Sequence, residues 1–121
     1  MATRWQSGLH HPVSVYAKQV TQGRLRDQCC KYEILACQRH LDDLKRQGTD
    51  DFPYVFDTTR ADRIIRWFGQ CIQVRGVDAG KPIQLEPWQV FDLGCTYGWV
   101  HKDTGARRFS HTYNKRARGN Y

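Results

Sequence analysis

Apolar residues recur at helical spacing through most of the chain, and the interruptions fall at Gly and Pro. Pro12 suits the first turn of a short helix over Val13–Gln22, which Gly23 ends. Cys30, Ile34, Cys37, Leu41 and Leu44 recur at spacings of 4, 3, 4 and 3. That spacing predicts a long helix over about Asp27–Gln47 with those residues on one face. Arg39–Asp43 and Asp42–Arg46 then read as i,i+4 ion pairs on its outer side, and Gly48 takes the C-terminal cap. After a connector over 50–54, Thr59-x-x-Asp62 has the form of a capping box. Ala61, Ile64, Ile65, Phe68 and Ile72 predict a second long helix that ends before Gly76. These two helices are expected to pack together through Ile34, Cys37 and Leu41 on one side and Ile64, Ile65 and Phe68 on the other. Val77–Lys81 reads as a turn. Pro87 opens a further helix with Trp88, Phe91, Cys95 and Trp99 along one face. Lys102–Gly105 is a turn, and the alternation over Arg108–Asn114, with Phe109, His111 and Tyr113 on one side, predicts a strand.

The pattern is mainly α with one or two short strands, in one unit spanning residues 1–121. A lone strand leaves its backbone groups unpaired, so this order reads as the opening of a larger α/β domain. No run approaches the roughly 18–20 apolar residues of a membrane span. Met1–His11 holds no continuous apolar stretch, so no secretory signal is expected. Five irregularly spaced cysteines (Cys29, Cys30, Cys37, Cys71 and Cys95) then read as reduced thiols.

Charge changes the picture at one end. The chain carries a formal +7, and residues 102–121 hold Lys102, Arg107, Arg108, Lys115, Arg116 and Arg118 against Asp103 alone, a net +5. A basic end suits phosphate, on nucleic acid or on a nucleotide, or is a solvated tail. A strand followed by the basic, Gly-bearing run Arg118-Gly119-Asn120 is how phosphate-binding loops begin. In Leu85-Glu86-Pro87-Trp88-Gln89, the Gln89 amide offers the donor and the acceptor that match adenine N7 and N6, with Trp88 as a stacking wall. The plainer reading makes Trp88 a core anchor and Gln89 an exposed polar residue. Cys30, Cys37 and His40, with His10-His11, have a composition that suits zinc, but they fall within one helical pattern. Structural zinc sites favour close ligand pairs on turns, and core packing is the better reading. No local signature supports a nucleophilic Cys or His, so no catalytic residue is assigned.

His11-Pro12-Val13 with Tyr16-Ala17, Cys37-Gln38-Arg39-His40-Leu41-Asp42-Asp43-Leu44, Leu85-Glu86-Pro87-Trp88-Gln89, Gly98-Trp99-Val100, and Arg107-Arg108-Phe109 leading to Arg118-Gly119-Asn120 occur in order from residue 11 to 121. In this the chain resembles the N-terminal part of phage terminase large subunits, the ATP-driven DNA-packaging motors. The resemblance implies a lead-in to a P-loop ATPase domain, truncated within the Walker A loop. It further implies ATP and magnesium as cofactors of the intact protein, with ATP binding at Trp88, Gln89, Arg118, Gly119 and Asn120, and phosphate or DNA contact at Lys115 and Arg116. Double-stranded DNA, a small terminase subunit and a portal are the implied partners, in the host cytoplasm and away from membranes. Tyr121 departs from the family's usual Gly, and a side chain there crowds phosphates. The parent family couples an ATPase to a nuclease, whereas this chain alone is expected to be inactive. The rival expectation is a non-enzymatic basic module that docks on DNA or on another packaging protein.

Overall fold

A computed structural model describes residues 8–115. They form helix α1 (Pro12–Thr21), a 3-10 turn (Arg26–Gln28), helix α2 (Lys31–Arg46), strand β1 (Tyr54–Phe56), helix α3 (Thr58–Gly69), helix α4 (Pro87–Gly98) and strand β2 (Trp99–His101). The protein is mainly helical with a two-stranded antiparallel sheet. No helix of the described residues is long and apolar enough to cross a membrane.

α1 begins where Pro12 predicts. The His11 side chain caps it by accepting the Val13 N–H, and Val13, Tyr16, Ala17 and Val20 are buried. α2 starts later than the sequence pattern indicates. Cys29 and Cys30 are extended, so the chain folds back before Lys31 and α2 packs on α1. Cys30 is therefore an exposed N-cap residue and leaves the apolar stripe, in which Cys37, Leu41 and Leu44 remain buried. Gly48 follows α2 with φ +78°, a left-handed position that favours Gly.

The predicted packing of α2 on α3 is replaced by another order. α1 packs against both α2 and α4, and α3 packs against α4, with Ala61 facing the same two α4 glycines that meet α1 and β1. Two glycines of α4 permit this. A Cβ on Gly94 would collide with Val13 Cγ2 of α1, and one on Gly98 would lie 2.7 Å from the Phe56 ring of β1. The small-residue face of α4 thus admits α1, β1 and Ala61 of α3.

Asp57, rather than Thr59, caps α3: its carboxylate accepts the N–H groups of Thr59 and Arg60. A β-region cap just before the helix satisfies the orphan N–H groups two residues earlier than the Thr59 reading allowed. α3 also stops at Gly69. Ile72, read as its last apolar position, is 60% exposed and bridges Pro82 in the turn-rich excursion over 70–83.

The sheet pairs Tyr54 with His101, Val55 with Val100 and Phe56 with Trp99. Trp99 was read as the last residue of the α4 face but is the first of β2, where its side chain is buried. The strand expected over Arg108–Asn114 does not form. Arg107 bridges Val100 and the Arg108 N–H bonds the Trp99 carbonyl, closing a short return against β2, and residues 111–115 run on without ladder partners. Alternation alone cannot make a strand where no neighbouring strand accepts its backbone groups.

Candidate functional site

The first candidate lies at the N-terminus of α4. Glu86 is the N-cap, Pro87 occupies the first helical position, and Glu86 and Gln89 form a reciprocal capping box. The Glu86 N–H donates to Gln89 Oε1 at 2.8 Å. That bond fixes which end of the Gln89 amide is oxygen, and it holds the side chain at the helix entrance. Trp88 is half-buried and packs against the core.

One turn on, Asp92 lies on the same side of α4 as Gln89 and lines a cleft of about 320 Å³. The cleft runs between α2, α4 and the extended segment 109–114, with Arg39, Phe109 and His111 on its walls. Lys115 follows that segment and is exposed. The structure therefore brings segment 109–114 alongside the side of α4 that carries Asp92, one turn from Gln89. Trp88 and Gln89 themselves do not line the cleft. Arg116, Arg118, Gly119, Asn120 and Tyr121 lie outside the described residues.

Behind the cleft is a buried polar chain that the sequence did not disclose. His40 is 3% exposed. The Trp99 indole N–H donates to His40 Nδ1 at 3.1 Å, so the ring proton sits on Nε2, which donates to Ser14 Oγ at 2.9 Å. Ser14 in turn donates to the Gly8 carbonyl. Burial pushes the His40 pKa down to about 3, overcoming the opposing influence of Asp43. The ring is a neutral relay that ties α1, α2 and β2 together.

Cys95 Sγ lies 3.5 Å from His40 Nδ1, a pairing that resembles a nucleophile and its base. Its electrostatics run the wrong way. Burial raises the Cys95 thiol and lowers the imidazole, so the thiolate–imidazolium pair that a nucleophile requires is disfavoured. The zinc reading fares no better geometrically, because Cys30 is exposed while Cys37 is buried and His40 has both ring nitrogens engaged. His11 is committed as well, accepting from Val13 and donating through Nε2 to Asp62 at 2.6 Å. Among the described residues, no group of three or more His, Cys, Asp and Glu is placed to hold a metal ion.

Asp43 corrects the expected surface ion pairs. It is 1% exposed, and its Oδ1 accepts from Arg46 while its Oδ2 accepts from Arg108 Nη1 at 2.6 Å. Arg39 lies instead over the Phe109 ring, and Asp42 accepts from Gln38. The Arg108 guanidinium also lies over Phe52, 4.7 Å from the ring centroid. This charge-assisted tie, held among aromatic faces, sets where the chain leaves β2 and so forms the outer wall of the cleft. His40 and Asp43 fall at positions 3 and 6 after Cys37. Helical spacing therefore signalled the burial of His40, which its polarity hid, whereas Asp43 falls off the apolar stripe and is buried through Arg108.

Comparison with protein families, with curated proteins and with solved structures yields no match. The functional reading rests on the residues and their geometry.

Proposed function

We propose that this chain is the adenine-side, N-terminal part of the ATPase of a terminase-like DNA-packaging motor, leading into an α/β P-loop domain. The observation that carries the reading is the capped Gln89, one turn before Asp92 on the side of α4 that segment 109–114 runs beside. An amide oxygen has two lone pairs. One accepts the Glu86 N–H and orients the amide; the other remains for adenine N6–H, while Nε2–H reaches N7. The residues thus fit the base end of ATP. For the phosphates the described residues supply only Lys115, and the resemblance assigns the remainder to Arg116, Arg118, Gly119 and Asn120. ATP and magnesium are cofactors of the intact motor, DNA and the other packaging proteins its partners, and the host cytoplasm its place of action.

Capping and adenine recognition separate in one variant. Gln89→Glu keeps the acceptor that caps α4 but lacks the donor for N7. We expect it to leave thermal stability unchanged and to remove ATP-dependent chemical-shift changes around residue 89. Gln89→Ala is expected to lose both, with a stability cost of about 1 kcal/mol. Equal ATP response in the parent and Gln89→Glu would exclude the adenine role.

The second reading, a basic module that docks on another packaging protein, is favoured by a separate feature. Arg63 and Arg107 flank an apolar groove between α3 and α4 and have no carboxylate partner among the described residues.

A further inference from the structure

The outer side of the α3–α4 pair carries a groove of about 650 Å³. Ile64 and Phe68 of α3 and Leu93 and Tyr97 of α4 form its floor. Both pairs are spaced i,i+4, so each helix lays a ridge along the groove. Trp67 stands at its edge, 54% exposed, and Tyr97 is 36% exposed. Leu93 and Tyr97 project from a different side of α4 than Asp92 and Cys95, so this surface is separate from the cleft, and Leu93 lies one turn beyond Gln89.

The rim is all of one charge. Arg60, Arg63 and Arg107 line the groove, and no Asp or Glu does. Arg60 donates to the Gly105 carbonyl at 2.7 Å and pairs with Asp57 at 3.9 Å, so Arg63 and Arg107 are the rim cations without a carboxylate partner among the described residues. Arg107 lies over the Tyr97 ring at 5.1 Å. The trough joins apolar side chains of two helices to an exposed Trp, and its cationic rim favours an anionic partner.

Two occupants satisfy that charge, and the floor distinguishes them. Single-stranded nucleic acid binds through open aromatic faces on which bases stack. Here Arg107 already covers Tyr97, Trp67 meets Phe68 edge to face at 5.0 Å, and Ile64 and Leu93 offer no face for stacking. An aliphatic trough between two packed helices instead suits the apolar stripe of a third helix.

We propose that this groove docks an acidic amphipathic helix of a protein partner, its apolar stripe seated between α3 and α4 and its carboxylates on Arg60, Arg63 and Arg107. The inference deepens the protein-docking reading, and its test reads Trp67, Arg63 and Arg107 rather than Gln89. Loss of ATP response therefore leaves it standing, and its own failure leaves the adenine reading standing.

The probe is a helical peptide of about 20 residues, about 30 Å long, with Leu on one stripe and Glu on both flanks. Its twin carries Lys in place of Glu, and an oligothymidylate serves as the nucleic-acid arm. Each is titrated into the isotope-labelled chain and followed by NMR. The acidic peptide should give saturable shifts at the Trp67 indole N–H and along α3 and α4, and the Lys twin should not. Trp67→Ala should weaken it by about tenfold or more, and so should the double change Arg63→Glu with Arg107→Glu. All three side chains are exposed, so preserved spectral dispersion reports an intact fold. The proposal is overturned if the acidic peptide gives no saturable shift, if the Lys twin binds equally, or if Trp67→Ala changes nothing. A groove that responds to oligothymidylate and not to the peptide is a nucleic-acid surface, and that result also overturns it.

Discussion

Gly94→Ala separates helix propensity from packing, because the two predict opposite signs. In the interior of a helix, Ala is favoured over Gly by about 1 kcal/mol. At Gly94 the new methyl would collide with Val13 Cγ2, and it would also lie 3.8 Å from the Ala61 Cβ. Val13 is fully buried, and a helical Val has one strongly preferred rotamer, so it cannot rotate aside. Either α1 moves off α4 or Val13 leaves its rotamer, and overpacking of this severity costs about 3 kcal/mol. The net expectation is a loss of about 2 kcal/mol, read as a drop of about 1 M in the urea midpoint at unchanged slope. Val13→Ala alone should cost about 2 kcal/mol in lost burial. In the Gly94→Ala background it should cost much less, because the new methyl occupies the space that Val13 vacates, so the double-mutant cycle should show strong coupling. Gly69→Ala is the control. Nothing lies within 4 Å of its Cβ position, and it should gain up to about 0.5 kcal/mol. A Gly94→Ala protein at least as stable as its parent, or strict additivity with Val13→Ala, would refute the α1–α4 contact.

Three further outcomes follow from the buried groups. The folded-state pKa of His40 is lowered from 6.5 to about 3, chiefly by burial, so between those values the unfolded chain binds a proton that the native state does not. Its stabilising contribution is complete above about pH 6.5 and falls as the pH drops toward 3, by up to about 1.4 kcal/mol per unit. Urea titrations across that window should show this slope, and His40→Gln should flatten it. Asp43→Ala strands the largely buried Arg108 and should cost about 3 kcal/mol, with changes in the NMR shifts of residues 109–114 as the cleft wall loses its tie. A thiol-specific reagent should modify exposed Cys30 first and buried Cys37 only on unfolding, with all five cysteines titrating in denaturant under non-reducing conditions. Burial, which also raises the Cys37 thiol, is the reason for the protection.

Local chemistry was legible where it depends on a few neighbouring residues. Pro12 and Pro87 mark the starts of α1 and α4, and Gly48 follows α2 in the left-handed region that favours Gly. What escaped depends on distant partners. The sequence pattern sets two apolar stripes but not which surfaces meet, and the deciding contacts are absences of side chain at Gly94 and Gly98. The pair is visible in the sequence as two glycines four apart in one helix, a sign of close approach. Asp43 reads as half of a surface pair until Arg108, 65 positions away, enters. The alternation over 108–114 was legible and misleading, because a strand exists only with a partner. Of the candidate site, Gln89 was legible by type. Its capping bond was legible only in retrospect, since Glu86 and Gln89 have capping-box spacing. The cleft and the α3–α4 groove required the fold.

The most direct measurement is an NMR titration of the isotope-labelled chain with ATP and, in parallel, GTP. One bidentate base pairing and partial stacking are each worth about 1–3 kcal/mol, and millimolar binding corresponds to about 4 kcal/mol, so affinity should be millimolar or weaker. The account predicts that ATP shifts the Gln89 side-chain amide, the Trp88 indole and residues 111–115 together. GTP should leave Gln89 unmoved, because its base presents O6 where adenine presents a donor. No change at Gln89 with millimolar ATP, or an equal change with GTP, would contradict it.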